Sequence, residues 1–518
     1  MKDYIKSKEK KIKEVLSGID KNSKKKKFIP EIIVWSLFFA VLSLRLFLAF
    51  KTHYFSYESY FNIREVQNIL EKGGFFKDPL TQGGILIMPP PLFYYFISLL
   101  SFLFPLDLIA KIVPNIFYSL LIPISYYFSF RTVENRNLAI FSALFVAFFP
   151  SLWSTINYFS PFSLAVILIF YGFYCVLRIK EKKYLNIFIV SVIISAFSSP
   201  ITLIIIPTLW LFILLLKIEK IKERNIFVEA TTFLTFLILL IEFLIYKKAI
   251  FIHGYKIIWR NIPQAILQRF FENITIIDLV VSVGILSFVF GIYALYKTTY
   301  TKKDRNVSLT ISIIIVSSLF MWLKLIEKRE GIIFLGVSLA IMSPSAIKLF
   351  MDYFKKVKIK ISSTQIKILI IVLLLITTIP PSIKEIKNLQ KETPEKYEIE
   401  AMLWLKENSS EFSRVVAAPK EGFLINAIAK RNNVIDYNFI NEKNSDAVYN
   451  DVSEIYQTQF ETRALELLNK HRAKYIILSR NVLEEFNVSK LIYAEKDCFA
   501  TFYENEKVKI IKTWCELE

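Results

Sequence analysis

Glycine, histidine and cysteine are all scarce in this chain of 518 residues, with 12, 3 and 3 copies respectively. Nothing in it resembles a Gly-rich phosphate loop, and the only glycine pairs are Gly73-Gly74 and Gly83-Gly84. That argues against an ATP-driven transporter and against a donor bound as a cytoplasmic nucleotide sugar. The cysteines show no metal-site spacing. Cys175 sits inside an apolar block and reads as packing. Cys498 and Cys515 flank a candidate hairpin, and a disulfide there is compatible with the sequence, which does not by itself fix the geometry. The N-terminus lacks a small-residue cleavage site, and the apolar segment after its basic tail is long. It reads as a retained helix rather than a signal peptide.

What is abundant is apolar. Hydrophobic residues make up 54% of the chain, and the mean hydropathy is +0.44. They come in nearly uncharged blocks of about 15 to 25 residues, the length a helix needs to cross the hydrocarbon core. The sequence therefore predicts an α-helical polytopic membrane protein. About eleven spans are expected, near 29–50, 107–130, 138–153, 162–178, 185–198, 199–217, 226–246, 276–297, 306–323, 332–351 and 366–383. The net charge is +20, but its placement argues against a nucleic-acid partner. Residues 1–27 carry eleven Lys against four acids, and the stretch 1–28 reads as a cytoplasmic tail facing anionic lipid. The other cations sit in alternate short loops: Arg131 and Arg136; Arg178 to Lys183; Lys217 to Arg224; Lys302 to Arg305; Lys355 to Lys360. This is the positive-inside pattern.

Residues 91–104 are apolar but number only fourteen. Counting them as a span would put every later basic loop outside, so they read as a re-entrant or interfacial helix. The alternative is that they span and a later short block does not. The transmembrane region then covers 29–384, with a long first external loop at 51–106 and further external pieces at 154–161 and 247–275. Loop 324–331 is external too, although it holds Lys324, Lys328 and Arg329. Such a local break in the charge rule can mark a functional cation near the membrane surface. The remainder, 385–518, mixes helical patterns (395–407, 421–430, 461–471) with short β-like runs at 415–418, 475–478, 500–503 and 508–512. It is expected to be a small extracytoplasmic α/β domain.

The first external loop carries most of the candidate chemistry. Glu58 and Arg64 lie six apart, Asp78 follows, and Pro89, Pro90 and Pro91 lead into the apolar segment. An acid just past a first span sits where a lipid phosphate presents its head group. It can act as a general base or hold a divalent cation, and an arginine can contact phosphate oxygens. Tyr57, Tyr60 and Tyr158 are candidates for stacking on sugar rings, or for an interfacial aromatic belt. Arg45, near the outer end of the first span, either snorkels outward or faces inward onto lipid phosphate. Glu242 and Asp278, near external helix ends, are further candidate carboxylates.

An acid–x–Tyr–x–x–x–Arg stretch in a long loop after one helix, then Gly-Phe-Phe-x-Asp-Pro and Pro-Pro-Leu, resembles the oligosaccharyltransferase catalytic subunits. More broadly the chain resembles the GT-C membrane glycosyltransferases. The stretches ALFVAFFPSLWSTINYFSP and AMLWLKENSSEFSRVVAAPKEGFLINAIAKRNNVIDYNF continue the likeness. The resemblance implies a transferase that takes sugar from a polyprenyl-phosphate or -pyrophosphate donor in the bilayer to an acceptor at the outer face of the cell membrane. It implies Glu58, with Asp78, as catalytic and Glu58 as ligand to Mn2+ or Mg2+. Arg64 and Arg329 would bind lipid phosphate, and Glu272 would touch the acceptor. Three departures matter. The 154–161 loop has no acid where the family completes its metal site, and Ala418–Phe423 keeps only a glycine and an aromatic of the family's Trp-Trp-Asp-Tyr-Gly block. The span count is also smaller. These move the expectation toward a related transferase of unspecified acceptor, with a catalytically silent partner of a true transferase, or a transporter, as the alternatives.

Overall fold

The structure is a computed structural model, and it describes residues 28–73, 80, 89–221, 225–271, 275–301, 304–356, 362–495 and 497–515. Among these, seven helices are long and apolar enough to cross a membrane: Phe28–Lys51, Leu106–Val133, Pro200–Ile218, Asn225–Gln268, Arg305–Trp322, Lys328–Phe354 and Ser363–Leu389. Each coincides with an expected span. The segment expected at 276–297 is a pair of helices, Ile276–Val283 and Ile285–Thr299, bent by 103°. The bend falls at Gly284, whose φ of 90° suits a residue without a side chain. The expected spans at 138–153, 162–178 and 185–198 are shorter helices, Arg136–Ala147, Phe162–Leu177 and Lys182–Ala196. Their backbones rise by only about 1.5 Å per residue, so each is shorter than the ~30 Å hydrocarbon core.

The helix opening at Lys328 is the hub, with 83% of its apolar stretch buried against other helices. Helices Phe28–Lys51, Asn225–Gln268 and Ser363–Leu389 are only 28% buried over theirs. Their exposed faces are rows of large apolar residues such as Trp35, Phe39, Phe47, Phe236, Phe243, Leu369 and Ile376. A face of that kind is stable against lipid, not water.

Residues 91–104 form one short helix, Leu92–Ser101. Its ten residues rise about 15 Å, half a bilayer core, which fits the re-entrant or interfacial reading. The long first loop folds back as a second helix, Tyr57–Lys72, closed by Gly73 in the left-handed region.

The last long helix runs on to Glu392, past the expected boundary at 384, and the α/β unit follows. Its strands are β1 (Arg414–Val416), β2 (Asn432–Asn433), β3 (Ala473–Ser479), β4 (Phe499–Glu504) and β5 (Val508–Thr513). The sheet order is β2-β1-β3-β5-β4. The first three strands are parallel, and β3, β5 and β4 are antiparallel. The β-like runs anticipated β1, β3, β4 and β5; β2 is too short to leave a pattern. Cys498 and Cys515 are joined by a disulfide that ties the two ends of the β4–β5 hairpin, and Cys175 is buried and free.

Candidate active site

The site is built by stitching the loop after the first long helix to the segment 154–161. Ser59 Oγ donates to the Asn157 carbonyl at 3.1 Å and accepts from the Phe159 amide at 2.9 Å. Asn62 Nδ2 donates to the Phe159 carbonyl at 2.9 Å. Those three bonds lay the loop helix Tyr57–Lys72 along the segment 154–161. Arg45 braces that segment from below, because its guanidinium donates to Asn115 Oδ1 (3.0 Å), Thr155 Oγ1 (2.9 Å) and the Leu152 carbonyl. Arg45 therefore neither snorkels nor faces a lipid. It ties the Leu152 carbonyl and the Thr155 hydroxyl to Asn115 of the helix Leu106–Val133.

Glu58 opens the loop helix, and this stitching sets its carboxylate against Tyr158, to which it is hydrogen-bonded. The Arg329 guanidinium lies over the Tyr158 ring, 4.5 Å from its centre, and is ion-paired with Glu392. Beside it Arg260 is ion-paired with Glu327. Arg260 and Asn261 both have positive φ, at 52° and 55°, a costly backbone for residues with a Cβ. It is held by the buried Asn261 amide, which donates to the Phe439 and Glu442 carbonyls at 3.0 and 2.7 Å. The α/β unit thus fixes the backbone that carries Arg260 to its pair with Glu327.

Burial pushes the Glu58 carboxyl up to about 7, and the charge of Glu327 pushes the same way; Arg329 and the Tyr158 hydroxyl oppose the shift. The Tyr158 hydroxyl is pushed well above its ordinary value by burial and by Glu58. A half-buried carboxyl near neutrality, with the Arg329 guanidinium close by, can exchange a proton at working pH.

Of the expected site residues, the structure brings Glu58 and Arg329 together. Arg64 lies about 240° around the same helix from Glu58, because six residues are not a whole number of turns. It pairs with Glu71 at 3.7 Å, and Glu71 pairs with Lys430 of the α/β unit at 3.2 Å. Asp78 and Glu272 lie outside the described residues. Arg260, Glu327, Glu330 and Glu392 are additions. For Glu327 and Glu330 the only sequence signal is the charge density of 324–331.

Among the described residues no group of three His, Cys, Asp or Glu is placed to hold a metal ion. The acids nearest Glu58 are engaged instead, Glu327 by Arg260 and Glu392 by Arg329. No step below passes through a metal.

On the other side of Glu58 a polar knot anchors the same helix. The Tyr57 hydroxyl donates to Glu398 at 2.8 Å. Asn481 Nδ2 reaches Glu398 Oε1 (2.5 Å), Glu421 Oε1 (2.9 Å) and the Tyr57 oxygen (3.0 Å), and Ser479 Oγ donates to Glu421 at 2.6 Å. Gly422 permits this approach, since a Cβ there would sit 2.3 Å from the Ile435 carbonyl oxygen. Burial, and then Glu398, push the Glu421 carboxyl up to about 7, against Ser479, Asn481 and Lys420. A carboxyl raised on folding binds its proton more tightly in the folded protein. The stability it contributes is therefore fully present below its ordinary 4.5 and is lost as pH rises through about 7. We expect hydrogen exchange in residues 57–72 and 419–424 to quicken as pH rises from 5 to 8, and Glu421→Gln to flatten that dependence. Exchange equally pH-dependent in Glu421→Gln would refute the assignment.

No family model matches the sequence, and no curated protein does. Solved structures do. The oligosaccharyltransferase of Archaeoglobus fulgidus superposes with a TM-score of 0.65 at 14% identity, covering 85% of this chain and 69% of that one. ArnT from Cupriavidus metallidurans bound to undecaprenyl phosphate gives 0.58 at 9% identity, covering 93% and 97%. The arabinofuranosyltransferase AftD from Mycobacteria gives 0.52 at 11%, covering 92% and 40%. The fold is that of the GT-C membrane glycosyltransferases. The chain is accordingly a multi-pass membrane protein of that architecture, with the loop helix of Glu58 and the α/β unit enclosing one face of the helix bundle.

Proposed function

We propose that the chain transfers a sugar from a polyprenyl-phosphate or -pyrophosphate carrier to an acceptor at the outer face of the membrane. The observation that carries this is the cluster in which Glu58, raised to about 7, meets Tyr158 and the Arg329 guanidinium, with the Arg260–Glu327 pair next to it. Two of the similar structures point to the same donor class, one bound to undecaprenyl phosphate and one, of the Archaeoglobus fulgidus protein, in complex with a dolichol-phosphate. Glu58 takes a proton from the acceptor as that atom bonds to the anomeric carbon. The carbon–oxygen bond to phosphate breaks, its electron pair stays on the phosphate oxygen, and Arg329 and Arg260 stabilise the charge that develops.

The cytoplasmic tail and the extracytoplasmic α/β unit belong to the same reading, supported by the alternation of basic loops and by the Cys498–Cys515 disulfide, which suits an oxidising compartment. Protease added outside intact cells should release fragments of 393–515 and spare the loops at 131–137 and 178–184; the reverse pattern would invert the topology.

The test of activity is release of lipid phosphate by purified protein in lipid, given a polyprenyl-phosphate and a polyprenyl-pyrophosphate sugar, with Mn2+, Mg2+ or chelator. Release is expected, and expected to survive chelator. A second reading, a silent partner of a true transferase, is favoured by one observation: both guanidiniums already hold carboxylates. Well-folded protein that releases nothing under any of these conditions would select it.

A further inference from the structure

Four Asn-x-Ser/Thr triplets occur in the chain, at 273–275, 306–308, 408–410 and 487–489. A triplet of this kind, without proline in the middle, is the acceptor pattern for a sugar on the asparagine amide, and it needs a surface position. Asn273 lies outside the described residues, and the structure sorts the other three. Asn306 is part of the helix Arg305–Trp322; its Nδ2 donates to the Arg131 carbonyl at 2.9 Å, and Ser308 is buried. Asn408 ends the helix Lys396–Asn408. Its Nδ2 donates to the Trp404 carbonyl at 2.9 Å, and Ser409 beside it accepts from Arg431 Nε at 2.8 Å. Asn487-Val488-Ser489 is placed differently. It leaves the helix Arg480–Phe486 through a turn, with Asn487 in the left-handed region at φ 52°, a conformation that asparagine tolerates better than most residues. The Asn487 backbone N–H closes the helix on the Leu483 carbonyl. That role leaves the side chain outside, and Asn487 and Ser489 are both exposed.

We propose that Asn487 is a glycosylation site and that the α/β unit carries a sugar chain on this turn. The co-reactant is a sugar on a polyprenyl-phosphate or -pyrophosphate, and the catalyst is a transferase on the same face of the membrane. Asn487 Nδ2 bonds to the anomeric carbon of that sugar. The bond from this carbon to the phosphate oxygen breaks, its electron pair stays on the oxygen, and the amide proton passes to a carboxylate of the transferase. Glu484 and Lys490, on either side of the turn, are exposed, so a bulky hydrated group there displaces no packing. Asn306 lies next to the basic stretch Lys302 to Arg305, on the opposite face in the topology proposed above. The inference rests on the outer placement of the α/β unit in that reading, and not on the activity of this chain.

Mass spectrometry of the full-length chain purified from its own cells tests this. Trypsin cuts after Arg480 and Lys490 and releases residues 481–490, in which Asn481 is followed by Val482-Leu483 and forms no triplet. This peptide should be heavier by whole sugar residues. The added mass should be lost in Asn487→Gln and in Ser489→Ala, whose exposed side chains leave the fold as stable as in the parent chain. The peptide holding Asn306 should be bare. A bare 481–490 peptide in the parent chain, or sugar that persists in Ser489→Ala, overturns the site. Asn487→Cys on intact cells reads the face of the membrane separately. Cys175 is buried and Cys498 is joined to Cys515, so a membrane-impermeant maleimide should label position 487. Labelling together with a bare parent peptide would refute the glycan and leave the topology standing. No labelling, or sugar on Asn306, would invert the topology and remove the glycosylation site with it.

Discussion

Glu58→Gln should lower sugar release by about 10²–10⁴-fold, the usual contribution of a positioned general base, while leaving donor binding close to that of the parent chain. The glutamine keeps the shape and the hydrogen bond to Tyr158 but cannot accept the acceptor's proton. It also removes the buried negative charge that Glu327 opposes, so the fold should be no less stable. The pH dependence follows from the same carboxyl. With its proton held up to about 7, the active, ionised form is the minority below neutrality. The rate should therefore climb about tenfold per pH unit through the acidic range and level off above about 7. A Glu58→Gln enzyme that retains most of its activity, or a parent profile already flat at pH 5, would remove Glu58 from the chemistry. Release of lipid phosphate from a polyprenyl-linked sugar is the measurement in both cases.

The second large effect belongs to Arg329. Arg329→Gln should weaken binding of undecaprenyl phosphate by about 10- to 100-fold, the loss of one or two charge-assisted hydrogen bonds. Its present partner Glu392 has a side chain that is 49% exposed, so losing the pair leaves that carboxylate in water and costs little stability. A fall in affinity without a fall in thermal stability is the expected signature. Arg329→Lys should recover part of it, since the charge remains but the planar group over Tyr158 does not. Unchanged lipid affinity in Arg329→Gln would mean that Arg260 or another cation holds the phosphate, and that the charge-rule break at 324–331 has a purely structural cause.

Much of the architecture was legible beforehand for a simple reason. Bilayer thickness imposes a length on apolar segments, and the cytoplasmic leaflet imposes a sign on loops; both are read along one dimension. Helices Phe28–Lys51, Leu106–Val133 and Ser363–Leu389 are visible this way. The shorter helices Arg136–Ala147, Phe162–Leu177 and Lys182–Ala196 mark where the method stops, since an apolar block does not reveal how much of it is helical. Glu58 was legible as the first acid past the first span. Arg64 lies on a different face of that helix from Glu58, as the helical period already requires, and pairs with Glu71. Arg260 left no trace, because its position depends on a strained backbone held by Asn261 against the α/β unit.

The sequence by itself determined that this protein lives in a membrane, where its long apolar helices lie, where a small α/β unit follows, and that an acid stands just beyond the first helix. Each is a consequence of local composition or period. Only the tertiary structure decided what that acid meets. Tyr158, Arg329, Glu327 and Arg260 come from three separate loop segments, and nothing local ties any of them to Glu58. They are brought together by packing around the buried helix that opens at Lys328 and by hydrogen bonds between loops, interactions that depend on distance in space and have no period along the chain.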